Sequence, residues 1–206
     1  MPNPIVLRGL SIAALLLVAF VAGLVGGMDF APDVAVIQRL EEVRAVAPDL
    51  TMLAIIVTQI GSVFGTFGSG LAATGWLAWR RQFWLAGVLG GTVLVERVTI
   101  DGMKMLIDRS RPAFDLHPVA THSSSFPSGH AGNSMAVFLA IALIAVPRAH
   151  RRAAVIAALV ATFLIGLTRP LLGVHWPSDV VAGWAVGAAV AMAAAMIADS
   201  RRSEAA

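Results

Sequence analysis

Runs of hydrocarbon side chains long enough to cross a bilayer recur along the whole chain, most of them flanked by arginine. Such runs leave few folds open. Inside lipid every backbone N–H and C=O must find its partner within protein, and a helix does this by itself. Leu7 to Val25 is the first run, Leu50 to Trp79 the second and Gln82 to Ile107 the third. Ala131 to Val146, Ala153 to Leu167 and Pro177 to Ala198 follow. Only 13% of the residues are charged, about half of the roughly 25% usual in soluble domains. The expected fold is all-α: a polytopic membrane bundle of six transmembrane helices, forming a single domain over residues 1–206.

The first run reads as a retained helix. It exceeds the usual signal-peptide core of roughly 7–15 residues, and Phe20-Val21-Ala22 makes a poor cleavage site. Asp29 to Asp49 is polar, with Val34, Ile37, Leu40, Val43 and Val46 at three-residue steps. That spacing fits either an amphipathic helix on the membrane surface or a solvated loop helix, and the latter is favoured. In the second run Gly61, Gly65, Gly68, Gly70 and Gly75 mark places where helices can approach closely, Gly61 and Gly65 as a small-xxx-small pair.

Six spans put both termini on one side. Arg8, Arg80, Arg81, Arg148, Arg151, Arg152, Arg201 and Arg202 then share that side, which the positive-inside rule makes cytoplasmic. The net charge is +3 and the isoelectric point near 10.9. Because the basic residues sit in short clusters between apolar runs and form no stripe, nucleic acid is excluded as a partner. With no cysteine, thiolate catalysis and cysteine-ligated metal are excluded too.

Two polar stretches break the hydrocarbon pattern on the opposite, extracytoplasmic side: Lys104 to His130 and Thr168 to Asp179. Ionisable groups beside a bilayer are expensive and point to function. On the third span Arg97, Asp101, Lys104 and Asp108 share a face with alternating sign, so Asp101 and Asp108 are spaced to pair with Lys104. Lys104 and Arg111 lie two helical turns apart if the helix continues to Pro112, and with Arg109 they offer cations suited to a phosphoryl group. Interfacial snorkelling is the alternative use of such cations, Arg109 above all.

Phe126-Pro127-Ser128-Gly129-His130 precedes an apolar run. Pro127 is expected to open the fourth span, leaving the N–H groups of Ser128 and Gly129 free to bind an anion. His130 then sits in the first turn, where a histidine is either structural or placed for proton transfer. In the second stretch Arg169 adds a guanidinium, and Asp179 follows His175 by four residues. The carboxylate can orient the imidazole, or it can simply favour a helix N-terminus.

Together these groups fit phosphoryl transfer: cations for the nonbridging oxygens, a nucleophile, and an acid for the leaving oxygen. His175, with its orienting aspartate, is expected to be the nucleophile. His130 is expected to be the general acid. No carboxylate cluster suited to magnesium remains, so no metal or other cofactor is expected.

The three segments resemble the motifs of the type-2 phosphatidic acid phosphatase family: K-x6-RP at Lys104 to Pro112, PSGH at Pro127 to His130, and SR-x5-H-x3-D at Thr168 to Asp179. Thr168 stands where the motif has serine and keeps the hydroxyl. Leu171 stands where many members have an aromatic residue. The resemblance implies a phosphohistidine at His175 held by Asp179, with His130 protonating the leaving group. It implies a phosphate held by Lys104, Arg111, Ser128, Gly129 and Arg169. It further implies a multi-pass enzyme of the bacterial cytoplasmic (inner) membrane, its site within residues 97–180 facing the periplasm. The expected reaction is metal-independent dephosphorylation of lipid phosphates or pyrophosphates in the bilayer. Undecaprenyl pyrophosphate leads as substrate, followed by phosphatidylglycerol phosphate and phosphatidic acid. A lipid phosphotransferase using the same histidine and a non-catalytic head-group carrier are the alternatives.

Overall fold

The computed structural model describes residues 30–113, 118–119 and 123–204, together with 9, 11–13, 17 and 18. Among the described residues all regular structure is helical. Helix α1 spans Ala31–Val46, α2 Pro48–Ile60, α3 Val63–Trp79 and α4 Phe83–Ile107. After a long connection come α5, Gly129–Ala140, extended by a π-helical turn over Ile141–Ala145, then α6, Arg148–Leu171, and α7, Pro177–Glu204.

Four stretches are long and apolar enough to cross a membrane: Pro48–Trp79, Phe83–Ile107, Arg148–Leu171 and Pro177–Arg201. Gly129–Ala145 is a shorter apolar helix of about 25 Å at 1.5 Å per residue. Outward-facing Phe64, Leu71 and Leu106 are 91%, 73% and 86% exposed. Side chains so apolar and so bare have lipid as their natural surroundings, and the chain is an integral membrane protein. The first apolar run lies outside the described residues apart from a few positions. One of these, Val18, packs against Ile100, Ala185 and Val186.

Helix α7 is the axis of the bundle. Its apolar window is 61% buried, against 22% for Pro48–Trp79 at the periphery. It reaches the centre because glycine removes side chains where α5 and α7 cross. A Cβ on Gly187 would lie 2.3 Å from the carbonyl oxygen of Gly132, and one on Gly183 would lie 2.5 Å from that of Ser128. Backbone therefore meets backbone at this crossing, as small residues permit in membrane helices. Leu77, Leu85, Leu89, Leu139 and Ile144 fill the other end of the bundle around Ala191 and Ala194. Arg201 at the end of α7 lies over the ring of Trp84 at the start of α4, 4.3 Å from its centroid. The arginine-rich ends of the helices thus come together.

Several sequence expectations change. The second run is not one helix: it breaks at Gly61 and Ser62, where Ser62 caps α3 by accepting from the Gly65 N–H at 3.2 Å. Gly61 and Gly65 flank this break and form no continuous stripe, and among the described residues nothing lies within 4 Å of where a Cβ on Gly68 or Gly75 would be. Helix α4 stops at Ile107, where Asp108 turns left-handed at φ 42°. It ends well before Pro112, so Lys104 and Arg111 do not share a helix face. The segment read as a solvated loop helix is α1, which buries Asp33 and Ile37 against the bundle.

Substituting Gly187→Ala is expected to destabilise the protein by about 1–3 kcal/mol, the usual cost of overpacking. Gly68→Ala, with open space around it, should leave stability unchanged or slightly raised. Thermal unfolding of the two detergent-purified variants reads both effects.

Candidate active site

The polar segments meet at the end of the bundle opposite the arginine-rich turns. Here α4 and α6 finish, α5 and α7 begin, and the loops 123–128 and 172–176 lie between them. Helix α6 closes on Gly173, whose φ of 70° suits glycine. The Arg44 guanidinium sits 3.3 Å from where a Gly173 Cβ would be, and it donates to the Leu171 carbonyl at 2.8 Å. Helix α1 therefore clamps the turn that delivers His175. Pro177 then opens α7, where its missing N–H costs nothing.

His175 and Asp179 face each other across this first turn, with Nδ1 3.4 Å from Oδ2. Both are buried. Asp179 is saturated with donors. Arg109 Nη1 donates to Oδ1 at 2.7 Å, while Ser125 Oγ at 2.5 Å and the Trp176 N–H at 2.9 Å donate to Oδ2. On the other side of the ring, Nε2 lies 3.3 Å from Arg111 Nη1. A guanidinium can only donate, so this contact casts Nε2 as the bare nitrogen and Nδ1 as the protonated one. Burial holds His175 at about 3, far below its ordinary value; Asp179 opposes the shift, and the charges of Arg111 and Arg169 add to it. The imidazole is therefore neutral at neutral pH.

The cations converge as the motif spacing implies, by a route the sequence did not show. Lys104 Nζ and Arg111 Nη2 both donate to the Ser124 carbonyl, at 2.5 and 3.4 Å. Arg111 also donates through Nε to Ser123 O at 2.8 Å and through Nη1 to Val174 O at 2.5 Å. Burial lowers the Arg111 pKa, opposed by the charge of Asp179. The expected pairing of Lys104 with Asp101 and Asp108 is absent: Asp101 pairs with Arg97 at 2.7 Å, and Asp108 is exposed. Arg169 donates to Thr58 Oγ1 of α2 at 2.6 Å, and its buried Nε has no hydrogen-bond partner among the described residues.

The PSGH segment departs from expectation in two respects. Helix α5 begins at Gly129 with Ser128 as its N-cap, so Pro127 precedes the helix and does not open it. Ser128 N–H is also not free, because it donates to the Asp179 carbonyl at 2.9 Å. Ser128 Oγ, in contrast, is buried and has no hydrogen-bond partner among the described residues. Gly129 stands at the helix start against Ile100. The ring of His130 faces the α2–α3 break, 3.5 Å from where a Gly61 Cβ would be. The charges acting on it are those of Arg169, His175, Arg111 and Lys104. One polar site thus contains every residue that the sequence nominated.

Three further contributors escaped the sequence reading, and a fourth takes a different role. Ser125 is one hydroxyl in a run of serines. Thr58 lies in an apolar run. Arg109, read as a further cation for a phosphoryl group with snorkelling as the alternative, is instead buried against Asp179. Asp33 also pairs with Arg109, at 2.8 Å. Of these only Arg109, next to the cationic motif, carried any signal in the sequence.

An integral-membrane helical bundle thus gathers two histidines, two carboxylates and four cations at one end. The chain belongs to the PAP2 superfamily, whose family model matches residues 82–203, more than half of its length. It is 37% identical over 123 residues to a lipid A 1-phosphatase of Rhizobium johnstonii, covering 55% of this chain and 48% of that one. It is 34% identical over 122 residues to phosphatidylglycerophosphatase B of Bacillus subtilis, covering 48% and 59%. The chain spans about half the length of the curated relatives it matches. Among solved structures, a transmembrane PAP2-type phosphatidylglycerolphosphate phosphatase from Bacillus subtilis shares the fold with a TM-score of 0.78. That match has 24% identity and covers 99% of this chain and 98% of that one. Aquifex aeolicus LpxE aligns with a TM-score of 0.55 and 25% identity, over 75% and 93%.

Nitrogen-resolved NMR of labelled protein should show His175 as a neutral Nδ1–H imidazole from pH 8 to below pH 5, without the usual titration near 6.5. The same depression has a sign for stability. Because the unfolded chain binds this proton more readily, the contribution of His175 is complete above about pH 6.5 and is lost progressively as pH falls toward 3.

Proposed function

We propose that the chain is a lipid phosphate phosphatase, a single membrane-embedded domain with its site at the extracytoplasmic end of six spans. The observation that carries this reading is His175 itself. Its Nδ1 is held by Asp179, and its Nε2 is bare beside the Arg111 guanidinium. A nucleophile next to a phosphate ligand is what an in-line attack on phosphorus requires.

In this reading Lys104, Arg111 and Arg169 bind the nonbridging oxygens, with Ser128 Oγ as a further donor and Gly129 allowing close approach at the helix end. Arginine and lysine thus supply the charge that a metal ion supplies in other phosphatases. Nε2 of His175 forms a bond to phosphorus while the bond to the lipid oxygen breaks, and His130 gives its proton to that oxygen. The bound phosphate brings the negative charge that a protonated His130 needs among so many cations. The ring of His175, now cationic, is stabilised by Asp179. Water then attacks the phosphohistidine, and His130 takes the water proton.

The substrate class is a lipid with a terminal phosphoryl group. The named activities of the relatives favour it: lipid A 1-phosphatase, phosphatidylglycerophosphatase B and decaprenylphosphoryl-5-phosphoribose phosphatase. An apolar groove of about 560 Å³ between α3 and α4, from Val63 to Thr74, offers hydrocarbon surface that begins beside the α2–α3 break. The positive-inside asymmetry supports placing the arginine-rich ends in the cytoplasm of a bacterial inner membrane and the site at its outer face.

The experiment is phosphate release by detergent-purified protein, with chelator present, from polyprenyl pyrophosphate, phosphatidylglycerol phosphate, phosphatidic acid and lipid A 1-phosphate. Wild type is expected to release phosphate from at least one of them, and His175→Ala from none. Asp179→Asn is expected to lower kcat by about 10³–10⁴-fold, as when a triad aspartate loses its charge. Turnover in His175→Ala would exclude the covalent route. Transfer of label to a second lipid in place of water would make the protein a phosphotransferase.

A further inference from the structure

The most enclosed ionic structure in the described residues is a chain of charges that begins far from the motifs. Asp33, in the first turn of α1, is 3% exposed. Its Oδ2 accepts from Arg109 Nη2 at 2.8 Å. The other terminal nitrogen of the same guanidinium, Nη1, donates to Asp179 Oδ1 at 2.7 Å. One planar fork therefore spans two carboxylates, a geometry that arginine permits and lysine does not. The guanidinium is stacked against Trp176, 5.2 Å from the ring centroid, and Trp176 Nε1 donates to Ser110 O at 2.9 Å. Asp33 also accepts from the Ser178 N–H at 3.0 Å and from the Ser178 hydroxyl. It thus caps α7, the helix that carries Asp179, from 145 residues away.

We propose that Asp33 is a positioning residue for the nucleophile: by occupying the second arm of Arg109 it fixes the Asp179 carboxylate and keeps its charge available to His175. This inference rests on His175 being the nucleophile. The electrostatic reasoning is simple. Arg109 alone would neutralise Asp179 and leave little charge to stabilise a cationic phosphoimidazole. With Asp33 present, two carboxylates share one guanidinium and the trio keeps a net charge of −1. In a buried site that residual charge is felt strongly by the ring 3.4 Å away. The geometric reasoning agrees. Asp179 Oδ1 is held by Arg109, and Oδ2 is thereby presented to Ser125, Trp176 and His175. The clamp also explains why α1, polar and short, is packed on the bundle: the same helix supplies Arg44 to the Leu171 carbonyl before the His175 turn.

Asp33→Asn separates the two roles. The amide keeps the size and one acceptor for the Ser178 N–H, so the cap on α7 survives while the charge is lost. The expected result is a fall in kcat of about 10–100-fold with KM within about twofold of wild type. The alkali-stable phosphohistidine formed from labelled lipid should fall in parallel, and the unfolding temperature should hold. Asp33→Glu should recover part of the kcat. Arg109→Lys, which keeps one charge but cannot bridge two carboxylates, should show the same loss of kcat and serves if Asp33→Asn does not fold. Wild-type kcat in either folded variant, or a loss confined to KM or to stability, overturns the inference. His175→Ala is measured alongside. If it still releases phosphate, the covalent reading fails and this inference fails with it. If it is inactive while Asp33→Asn turns over normally, the inference alone fails.

Discussion

The site depends on one carboxylate. Asp179 is fully buried, and as an anion in that position it must be surrounded by donors. It takes them from three segments of the site: Arg109 after α4, Ser125 before α5 and Trp176 before α7. Its own carbonyl accepts the Ser128 N–H at the start of α5. A single residue thus holds the three motif segments in register. The polar site is a consequence of satisfying a buried charge as much as of arranging a reaction.

The hydrocarbon part of the bundle serves this arrangement. For Ser128 N–H to reach the Asp179 carbonyl, α5 and α7 must cross at backbone distance, and Gly132, Gly183 and Gly187 make that possible. Similarly, the break at Gly61 and Ser62 lets the α2–α3 strand of the bundle bend past His130 and present Thr58 to Arg169. A side chain at Gly61 would run into Ile165, its Cβ 2.2 Å from that residue's Cγ2. Packing and chemistry are therefore coupled through small residues, as close contact in lipid demands.

Much of this was legible in the sequence because it is written in local patterns. Helices follow from apolar run length, and the bounds of α4 and α7 fall within a few residues of the runs that announced them. The cations, PSGH and the His175–Asp179 spacing could be read because each lies within one short segment. What failed did so for physical reasons. Helix α4 ends at Ile107 as its run does, but the two-turn relation of Lys104 to Arg111 fails, since a left-handed residue such as Asp108 leaves little trace in composition. Pro127 was expected at the first helical position but precedes the Ser128 cap, both being consistent with a proline near a helix start. The 31–46 segment is the largely solvated helix its polarity implies, but its docking left no apolar pattern because its anchors, Asp33 and Arg44, are polar.

By itself the sequence determined that the chain would be helical and membrane-embedded, with two charged interruptions on one side. Burial in lipid admits few alternatives, and a histidine just before a helix lies within reach of an aspartate in its first turn. Only the tertiary structure decided which partners those groups would have. Asp33 with Arg109, Thr58 with Arg169, and Ser125 with Asp179 are separated by 76, 111 and 54 residues. No local rule relates positions so far apart. They meet because buried charges and donors must be paired, and pairing is settled only when all the helices have docked.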